Sequence, residues 1–263
     1  MTQPRALAGG VTEPPAGFAE VLLAAGLAPT WDVLLGDASK LSLADATTVL
    51  VVRYADGVYM VGDRQATEGY SVAHRRMKKV FPSDDFSAVA ISGTAGLAIE
   101  LVRLFQTELE HYEKLEGTRL SLEGRANFLA RLVRQQLPMA FQGLVVVPLF
   151  CGFDHTTGSG RLFTFDVVGG RYEEDDFGAS GSGAKEARSY LRSHFDPTMG
   201  AEEGLSVAIK SLVAAAEQDV ATSGPDVRRG IYPNVIRIDV DGLVELSDEV
   251  IAPVAEAALE VVR

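Results

Sequence analysis

The sequence predicts an α+β domain in which two stacked antiparallel sheets are flanked by pairs of helices. Strand-like and helix-like segments follow one another in blocks: strands, two helices, strands, two helices, strands. The pairs Asp56-Gly57 and Asp241-Gly242 each separate two apolar runs, which is typical of an antiparallel hairpin. This order favours a layered α+β domain over a doubly wound parallel sheet.

Composition sets broad limits on function. The 263 residues are 47% apolar and 23% charged, as in ordinary globular proteins, and suffice for one large core. A net charge of −12 argues against a broad nucleic-acid-binding surface, which needs a basic face. The single cysteine, Cys151, excludes an intrachain disulfide, fits the cytoplasm and is interpreted as a small buried side chain. No segment reaches the ~18 apolar residues of a membrane helix.

The start of the chain differs in character from the rest. Proline and glycine recur through Pro4–Gly17, so long regular structure is not expected there. Two short apolar pieces follow, at Phe18–Leu27 and Trp31–Leu35. We therefore interpret residues 1–46 as a leader that contributes little to the core of the main domain, residues 47–263.

The first half of the main domain combines a hairpin, a third strand and two helices. The predicted bounds are Thr48–Tyr54, Val58–Gly62 and Phe86–Ile91 for strands, and Thr94–Leu115 and Ser121–Gln136 for helices. Apolar, β-branched runs predict the strands. A broad apolar stripe predicts the first helix, and Gly117 is expected to end it.

The second half repeats this alternation. The predicted bounds are Leu144–Asp154, Arg161–Val168 and Gly170–Asp175 for strands, Ala184–His194 and Glu203–Thr222 for helices, Asn234–Val240 and Leu243–Leu246 for a last hairpin, and Ile251–Val262 for a final helix. Glycine-rich turns separate the strands, and the final helix is amphipathic and rich in alanine.

Familiar hydrolase and metal signatures are absent from the sequence. None of its four histidines sits in an apolar segment next to a serine elbow: His74, His111, His155 and His194. The motifs G-x-S-x-G, H-E-x-x-H and C-x-x-C do not occur. A serine–histidine triad or a zinc site is therefore not supported.

The junction Ala46-Thr47-Thr48 offers another chemistry. Thr47 could be an ordinary first strand residue, or a nucleophile that is complete only after the leader is cut off. A freed α-amine titrates near ~7.7–8.0 and can accept a proton at neutral pH. Nucleophile and general base would then share one residue, so that no histidine is needed.

Such a site also needs a cation to tune the amine, an anion to hold that cation and an N–H group for the oxyanion. Asp63, Lys79 and Gly93 are the candidates for anion, cation and donor. Taken singly, each also has a simpler interpretation: a turn residue, one more solvated base in a basic run, and a glycine at a helix entry. Whether the catalytic or the simpler interpretations hold is decided by the pattern that the residues form together.

Four short segments occur in a characteristic order: Thr47-Thr48, Gly62-Asp63-Arg64, Lys79-Val80-Phe81 and Ser92-Gly93-Thr94-Ala95. Together they closely resemble proteasome β-subunits, especially those of the actinobacterial type. The likeness continues through Glu108–Gly117, Gly181-Ser182-Gly183 and Ser223-Gly224-Pro225-Asp226. It covers the chain from Thr47 to about Gly242.

The resemblance implies a four-layer α-β-β-α sandwich of the N-terminal-nucleophile hydrolase type, acting as a threonine endopeptidase. It assigns the nucleophile to Thr47, the tuning cation to Lys79, its orienting anion to Asp63 and the oxyanion donor to Gly93. Ser182, Asp219 and Thr222 match the supporting residues. Thr222 departs from the serine of many members, but its hydroxyl is expected to keep the role.

The resemblance also implies a substrate pocket. The matching positions are Ala66, Met77, Phe81, Ile91, Ala95 and Ile99, and Thr67 matches a position whose backbone holds the substrate strand. These side chains suggest cleavage after apolar residues. The alternative is that several belong to the core, and Ile91 and Ile99 could serve both purposes.

Maturation and partners follow from the same resemblance. Residues 1–46 are expected to be a propeptide removed by self-cleavage between Ala46 and Thr47, more slowly than with the family's usual glycine before the nucleophile. The expected partners are α-subunits and other β-subunits in stacked heptameric rings, a regulatory ATPase ring and tagged or unfolded protein substrates. No metal or cofactor is expected.

Three alternatives remain at this point. The first is a peptidase of the HslV type, which the long leader disfavours. The second is a catalytically silent scaffold subunit, which would normally lack Thr47, Asp63 or Lys79. The third is a small-molecule amidohydrolase of the same superfamily, which the match through the helical segments disfavours.

Overall fold

The computed structural model describes residues 47–68 and 71–261. The predicted leader and the predicted cleavage-site residue Ala46 lie outside these ranges. The strands are β1 (Thr48–Tyr54), β2 (Gly57–Gly62), β3 (Ala66–Glu68), β4 (Ser71–His74), β5 (Val80–Asp84), β6 (Ser87–Gly93), β7 (Val146–Asp154), β8 (Ser159–Phe165), β9 (Arg171–Glu174), β10 (Phe177–Gly181), β11 (Asn234–Asp239) and β12 (Gly242–Glu245). The helices are α1 (Ala95–Glu116), α2 (Leu122–Gln135), α3 (Leu137–Ala140), α4 (Ala184–His194), α5 (Ala201–Gln218) and α6 (Asp248–Val261), with a 3-10 turn at Val227–Arg229.

Two five-stranded antiparallel sheets form the centre of the domain. The first sheet has the order β10-β1-β2-β11-β12, and the second has the order β5-β6-β7-β8-β9. Strands β3 and β4 form a separate hairpin. Val49 and Val51 of the first sheet and Leu149 and Cys151 of the second belong to one buried cluster between the sheets.

Helices cover both outer faces. Leu50 and Val52, on the opposite face of β1, belong to a cluster with side chains of α4, α5 and α6. Side chains of α1 and α2 pack with Phe150 and Phe163 on the outer face of the second sheet. Since strands such as β1 are buried on both faces, they are continuously apolar rather than alternating. The predicted four-layer α-β-β-α sandwich is confirmed.

The predicted element types are confirmed, but some bounds are wrong, and four strands and the short helix α3 were missed. The helix predicted to run to Thr222 ends at Gln218, because Asp219 has extended backbone angles. The missed strands β3 and β4 are short, β5 contains Pro82, and β10 is made largely of glycine, alanine and serine. Gly117 ends α1 with φ +66°, as predicted.

Two further expectations concern single features. Cys151 is fully buried between the sheets, as predicted, and burial raises the pKa of its thiol. Within residues 47–68 and 71–261, no helix is both long and apolar enough to cross a membrane.

Candidate active site

Thr47, the predicted nucleophile, lies directly before β1 and is 6% exposed. Its carbonyl oxygen accepts a hydrogen bond from the Ser182 backbone N–H at 2.9 Å. Gly181 comes so close to Thr47 that a Cβ at Gly181 would lie 1.8 Å from the Thr47 carbonyl oxygen, and Gly181 has φ +100°. Only glycine fits there, so the turn after β10 fixes the Thr47 backbone.

Asp63 and Lys79, the predicted anion and cation, form a buried ion pair. Lys79 Nζ lies 2.6 Å from Asp63 Oδ1, and the two side chains are 1% and 0% exposed. Burial lowers the pKa of Lys79, while the charge of Asp63 and its hydrogen bond oppose that shift. The pairing follows from local structure, since Asp63 directly follows β2 and Lys79 directly precedes β5.

The same carboxylate reaches the start of β1. Asp63 Oδ1 accepts a hydrogen bond from the Thr48 backbone N–H at 2.9 Å, and the Asp63 N–H donates to the Thr48 carbonyl at 3.1 Å. Asp63 Oδ2 accepts from the backbone N–H groups of Gln65 and Ser223 at 3.0 and 3.2 Å. One oxygen therefore holds both the buried ammonium and the residue after Thr47.

A second network lies on the other side of the β1 start. Asp219 Oδ2 accepts hydrogen bonds from the hydroxyls of Ser182 at 2.5 Å and Thr222 at 2.6 Å. The Thr222 hydroxyl also contacts the Thr48 hydroxyl at 2.5 Å, and Thr48 Oγ1 accepts from the Gly183 N–H at 3.0 Å. Ser182, Asp219 and Thr222 are thus brought together, and the threonine hydroxyl at position 222 makes two contacts.

Gly93, the predicted oxyanion donor, lies where β6 ends and α1 is about to begin. Its φ of +102° is one that side-chain-bearing residues rarely adopt, and a Cβ there would lie 2.2 Å from the Val145 carbonyl oxygen. The following residue, Thr94, donates its N–H to that carbonyl at 2.8 Å. Helix α1 begins two residues later, and the N–H groups of its first turn have no intrahelical partner, so the corner next to Gly93 suits a developing negative charge.

The predicted pocket residues separate into two groups. Ala66, Met77, Ala95 and Ile99 line one cavity, together with the apolar Ala73 and Ile231 and the basic His74, Arg75, Arg76 and Arg229. Ile91 is 2% exposed and belongs to the core beneath α1, and Phe81 packs against that core. Thr67 pairs with Val72 in the β3–β4 hairpin, beside the cavity residue Ala66.

Several contacts of the site have no sequence signal of their own. Thr48, Gln65 and Ser223 bind Asp63, and the Ser223 contact spans 160 positions of the chain. A hydrogen bond of 2.7 Å also joins Ser92 and Ser180, which belong to different sheets. The resemblance included Thr48 and Ser223 in its matched segments, but their contacts with Asp63 become visible only in the folded chain.

Comparison with known proteins gives one consistent result. The sequence model of the proteasome subunit family matches residues 43–228, a range that contains the two networks and the cavity-lining residues up to position 99. A protein of Acidimicrobium ferrooxidans called proteasome subunit beta is 50% identical over 217 residues, covering 82% of this chain and 80% of that protein. Proteins of the same name from Jonesia denitrificans and Acidothermus cellulolyticus are 48% identical over 223 residues and 50% identical over 217 residues. The Jonesia match covers 85% of this chain and 72% of that protein, and the Acidothermus match covers 81% of this chain and 75% of that protein.

Proposed function

We propose that this chain is a catalytic subunit of the threonine type. It belongs to the proteasome subunit family, and it is a β subunit of the 20S proteasome core, which is a protease. The observation that carries this proposal is the buried Lys79–Asp63 pair at the start of β1. A buried ion pair is weak evidence for stability, because desolvation offsets much of its attraction. The pair instead favours a catalytic role, because Asp63 also binds the backbone of Thr48, the residue next to the proposed nucleophile Thr47.

Activation, in this proposal, is the cleavage of the Ala46–Thr47 bond. The Thr47 hydroxyl attacks the Ala46 carbonyl, the bond to the Thr47 nitrogen breaks, and water hydrolyses the resulting ester. The products are a propeptide of residues 1–46 and a main chain that begins with a free amine at Thr47.

In peptide hydrolysis the free amine of Thr47 takes the proton from its own hydroxyl, and the oxygen attacks the scissile carbonyl. The Gly93 N–H donates to the oxyanion, and the amine returns the proton to the leaving nitrogen. Water activated by the same amine then hydrolyses the ester. The Lys79 cation lowers the pKa of the nearby amine, so that more of it is unprotonated at neutral pH.

The second network supports the nucleophile. Because Ser182 donates its backbone N–H to the Thr47 carbonyl and its hydroxyl to Asp219, it joins the nucleophile's backbone to the Asp219 carboxylate. Thr222 extends this network to the Thr48 side chain. We assign these three residues to positioning, with Thr222 taking the part of the serine found in many family members.

The cavity lined by Ala66, Met77, Ala95 and Ile99 would receive the side chain before the cut, which favours apolar residues. The backbone of Thr67 would pair with the substrate strand.

As partners we propose α-subunits and further β-subunits in stacked heptameric rings, a regulatory ATPase ring and unfolded or tagged proteins, in the cytoplasm. A silent scaffold subunit is disfavoured, because Thr47, Asp63 and Lys79 are all present and the last two are paired.

The test compares the assembled particle with its Thr47→Ala variant. We expect an intact mass that corresponds to residues 47–263, hydrolysis of fluorogenic peptides by the unchanged protein, and none by Thr47→Ala. Thr157→Ala, an exposed threonine in the turn after β7, is the matched control and should keep full activity. Turnover by Thr47→Ala, or an active particle built from uncut chains, would refute the mechanism.

A further inference from the structure

The rim of the cavity beside the site is unusually basic for an acidic chain. Its lining contains His74, Arg75, Arg76 and Arg229 and no aspartate or glutamate, although the whole chain has a net charge of −12. These four basic residues are exposed, and we call them the rim of the cavity. The less exposed lining residues are all apolar: Ala66, Met77, Ile99 and Ile231. A cavity that combines apolar lining with exposed cationic side chains would favour a ligand that is apolar in one part and acidic in the next.

Three cations near the cavity are each paired with a carboxylate. Lys78 Nζ lies 2.7 Å from Glu245, and Lys79 Nζ lies 2.6 Å from Asp63. Arg229 lies 2.6 Å from Asp226. These three positive charges are therefore largely neutralised within the domain.

Arg75 and Arg76 differ from these neighbours. Across residues 47–68 and 71–261, no carboxylate lies within ion-pair distance of either. Arg76 instead donates hydrogen bonds to the backbone carbonyls of Arg229 and Gly230 at 3.0 and 3.4 Å. Carbonyl groups orient the Arg76 guanidinium but do not neutralise it. The charge of Arg75 helps to lower the pKa of Asp226, but that carboxylate is already paired with Arg229, so one negative charge faces two arginines and positive charge remains at the rim.

The effect of this charge extends to Arg64. The Arg64 guanidinium donates to the Arg76 carbonyl at 3.3 Å. Burial lowers the pKa of Arg64, Asp248 opposes that shift, and the charge of Arg76 adds to it. Another cation is therefore disfavoured beside Arg76, as expected where positive charge is not balanced.

We propose that Arg75 and Arg76 select peptides that carry aspartate or glutamate next to the apolar residue at the cut. This inference rests on the proposed function, since the cavity must receive the residue before the scissile bond. When that apolar side chain lies in the cavity, an adjacent side chain of the peptide passes the rim. A carboxylate there is attracted, an amide is not, and an ammonium is repelled.

The experiment uses the assembled particle and internally quenched peptides that differ at one position. One series varies the residue before the apolar residue and a second series varies the residue after it, each through Glu, Gln and Lys. In at least one series we expect kcat/KM to fall from Glu to Gln to Lys by about two- to fivefold per step at low salt. The difference should shrink as ionic strength rises to about 0.5 M, because the rim is exposed to solvent.

Variants test the assignment to the two arginines. The double variant Arg75→Gln with Arg76→Gln should cleave the Glu, Gln and Lys peptides at nearly equal rates. Arg228→Gln is the matched control, because Arg228 is exposed and adjacent to Arg229 but does not line the cavity. It should keep the full preference.

The outcomes separate this inference from the proposed function. If the particle cleaves all three peptides alike at low salt, or if its preference is unchanged by salt, the inference is wrong while threonine catalysis stands. If neither the particle nor Thr47→Ala cleaves any peptide, the proposed function itself fails. If the double variant keeps the preference of the unchanged particle, the assignment to the two arginines is wrong. The salt series needs no variant, so the charge preference itself can be refuted even if the double variant does not assemble.

Discussion

Lys78 and Lys79 are adjacent in the chain and both form ion pairs of nearly the same length, yet their surroundings are opposite. The Lys78–Glu245 pair is 2.7 Å long with side chains 40% and 48% exposed, and the Lys79–Asp63 pair is 2.6 Å long with side chains 1% and 0% exposed. Water solvates the first pair and is excluded from the second. The comparison teaches that the distance between two charges does not distinguish a solvated surface pair from a desolvated one, whereas burial does. It is the desolvated pair for which we propose a function.

The largest effect is expected from Lys79→Gln, which leaves the Asp63 carboxylate buried without its cation. We expect a loss of about 3–5 kcal/mol in the free energy of unfolding. We also expect peptidase activity to fall about a hundredfold or more, since the nucleophile's amine loses its nearby cation. Denaturant unfolding and peptide hydrolysis measure the two. Activity close to that of the unchanged protein would break the comparison between the two pairs.

The next effect distinguishes the charge pair from the hydrogen-bond network around it. In the double variant Asp63→Leu with Lys79→Met, no unpaired charge remains, but the N–H groups of Thr48, Gln65 and Ser223 lose their acceptor. We expect part of the lost stability to return, with a remaining deficit of about 1–3 kcal/mol. Activity should not return. Full recovery of stability in denaturant unfolding would mean that these backbone contacts contribute little.

A smaller effect is expected at Thr222. Thr222→Ala removes the hydroxyl that contacts Asp219 and Thr48, which should cost about 1–3 kcal/mol of unfolding free energy and lower kcat. Thr222→Ser keeps the hydroxyl and should restore both. If the serine variant were as poor as the alanine variant, the methyl group rather than the hydroxyl would be the important part of the side chain.

The smallest effect is expected from Lys78→Gln, the matched partner of the first variant. Because the pair with Glu245 is exposed, the change should cost about 0–1 kcal/mol, and high salt should reduce the difference further. Peptidase activity should be unchanged. A large loss of activity would show that the exposed pair, too, contributes to the site.

Sequence reasoning predicted the fold well where local pattern and burial agree. Helix α4 has the predicted bounds, Ala184–His194, because its apolar stripe and its flanking residues both mark it. The hairpin β3–β4 was missed because it is short and β4 is exposed along its length, so no core pattern marks it. Strand β10 was missed because small residues, which pack closely against the start of β1, are poor strand formers in general.

The site was predictable only in part, and for a different reason. Asp63, Lys79 and Gly93 were singled out because a chemical requirement and a family resemblance pointed to the same residues. The contacts that hold Asp63 in place, above all Ser223, join residues far apart in sequence. The separation of Ile91 from the cavity residues depends on which side of β6 faces the helices, which no single sequence segment specifies.

The contacts of Asp63 have one more consequence. In the uncut chain of 263 residues, Thr47 is still joined to Ala46, yet Asp63 already binds Lys79 and Thr48, and Asp219 already binds Ser182 and Thr222. Under the proposed mechanism, maturation therefore breaks one peptide bond beside hydrogen-bond networks that have already formed. Activation then needs none of these described contacts to form anew, and hydrolysis of the bond makes it irreversible.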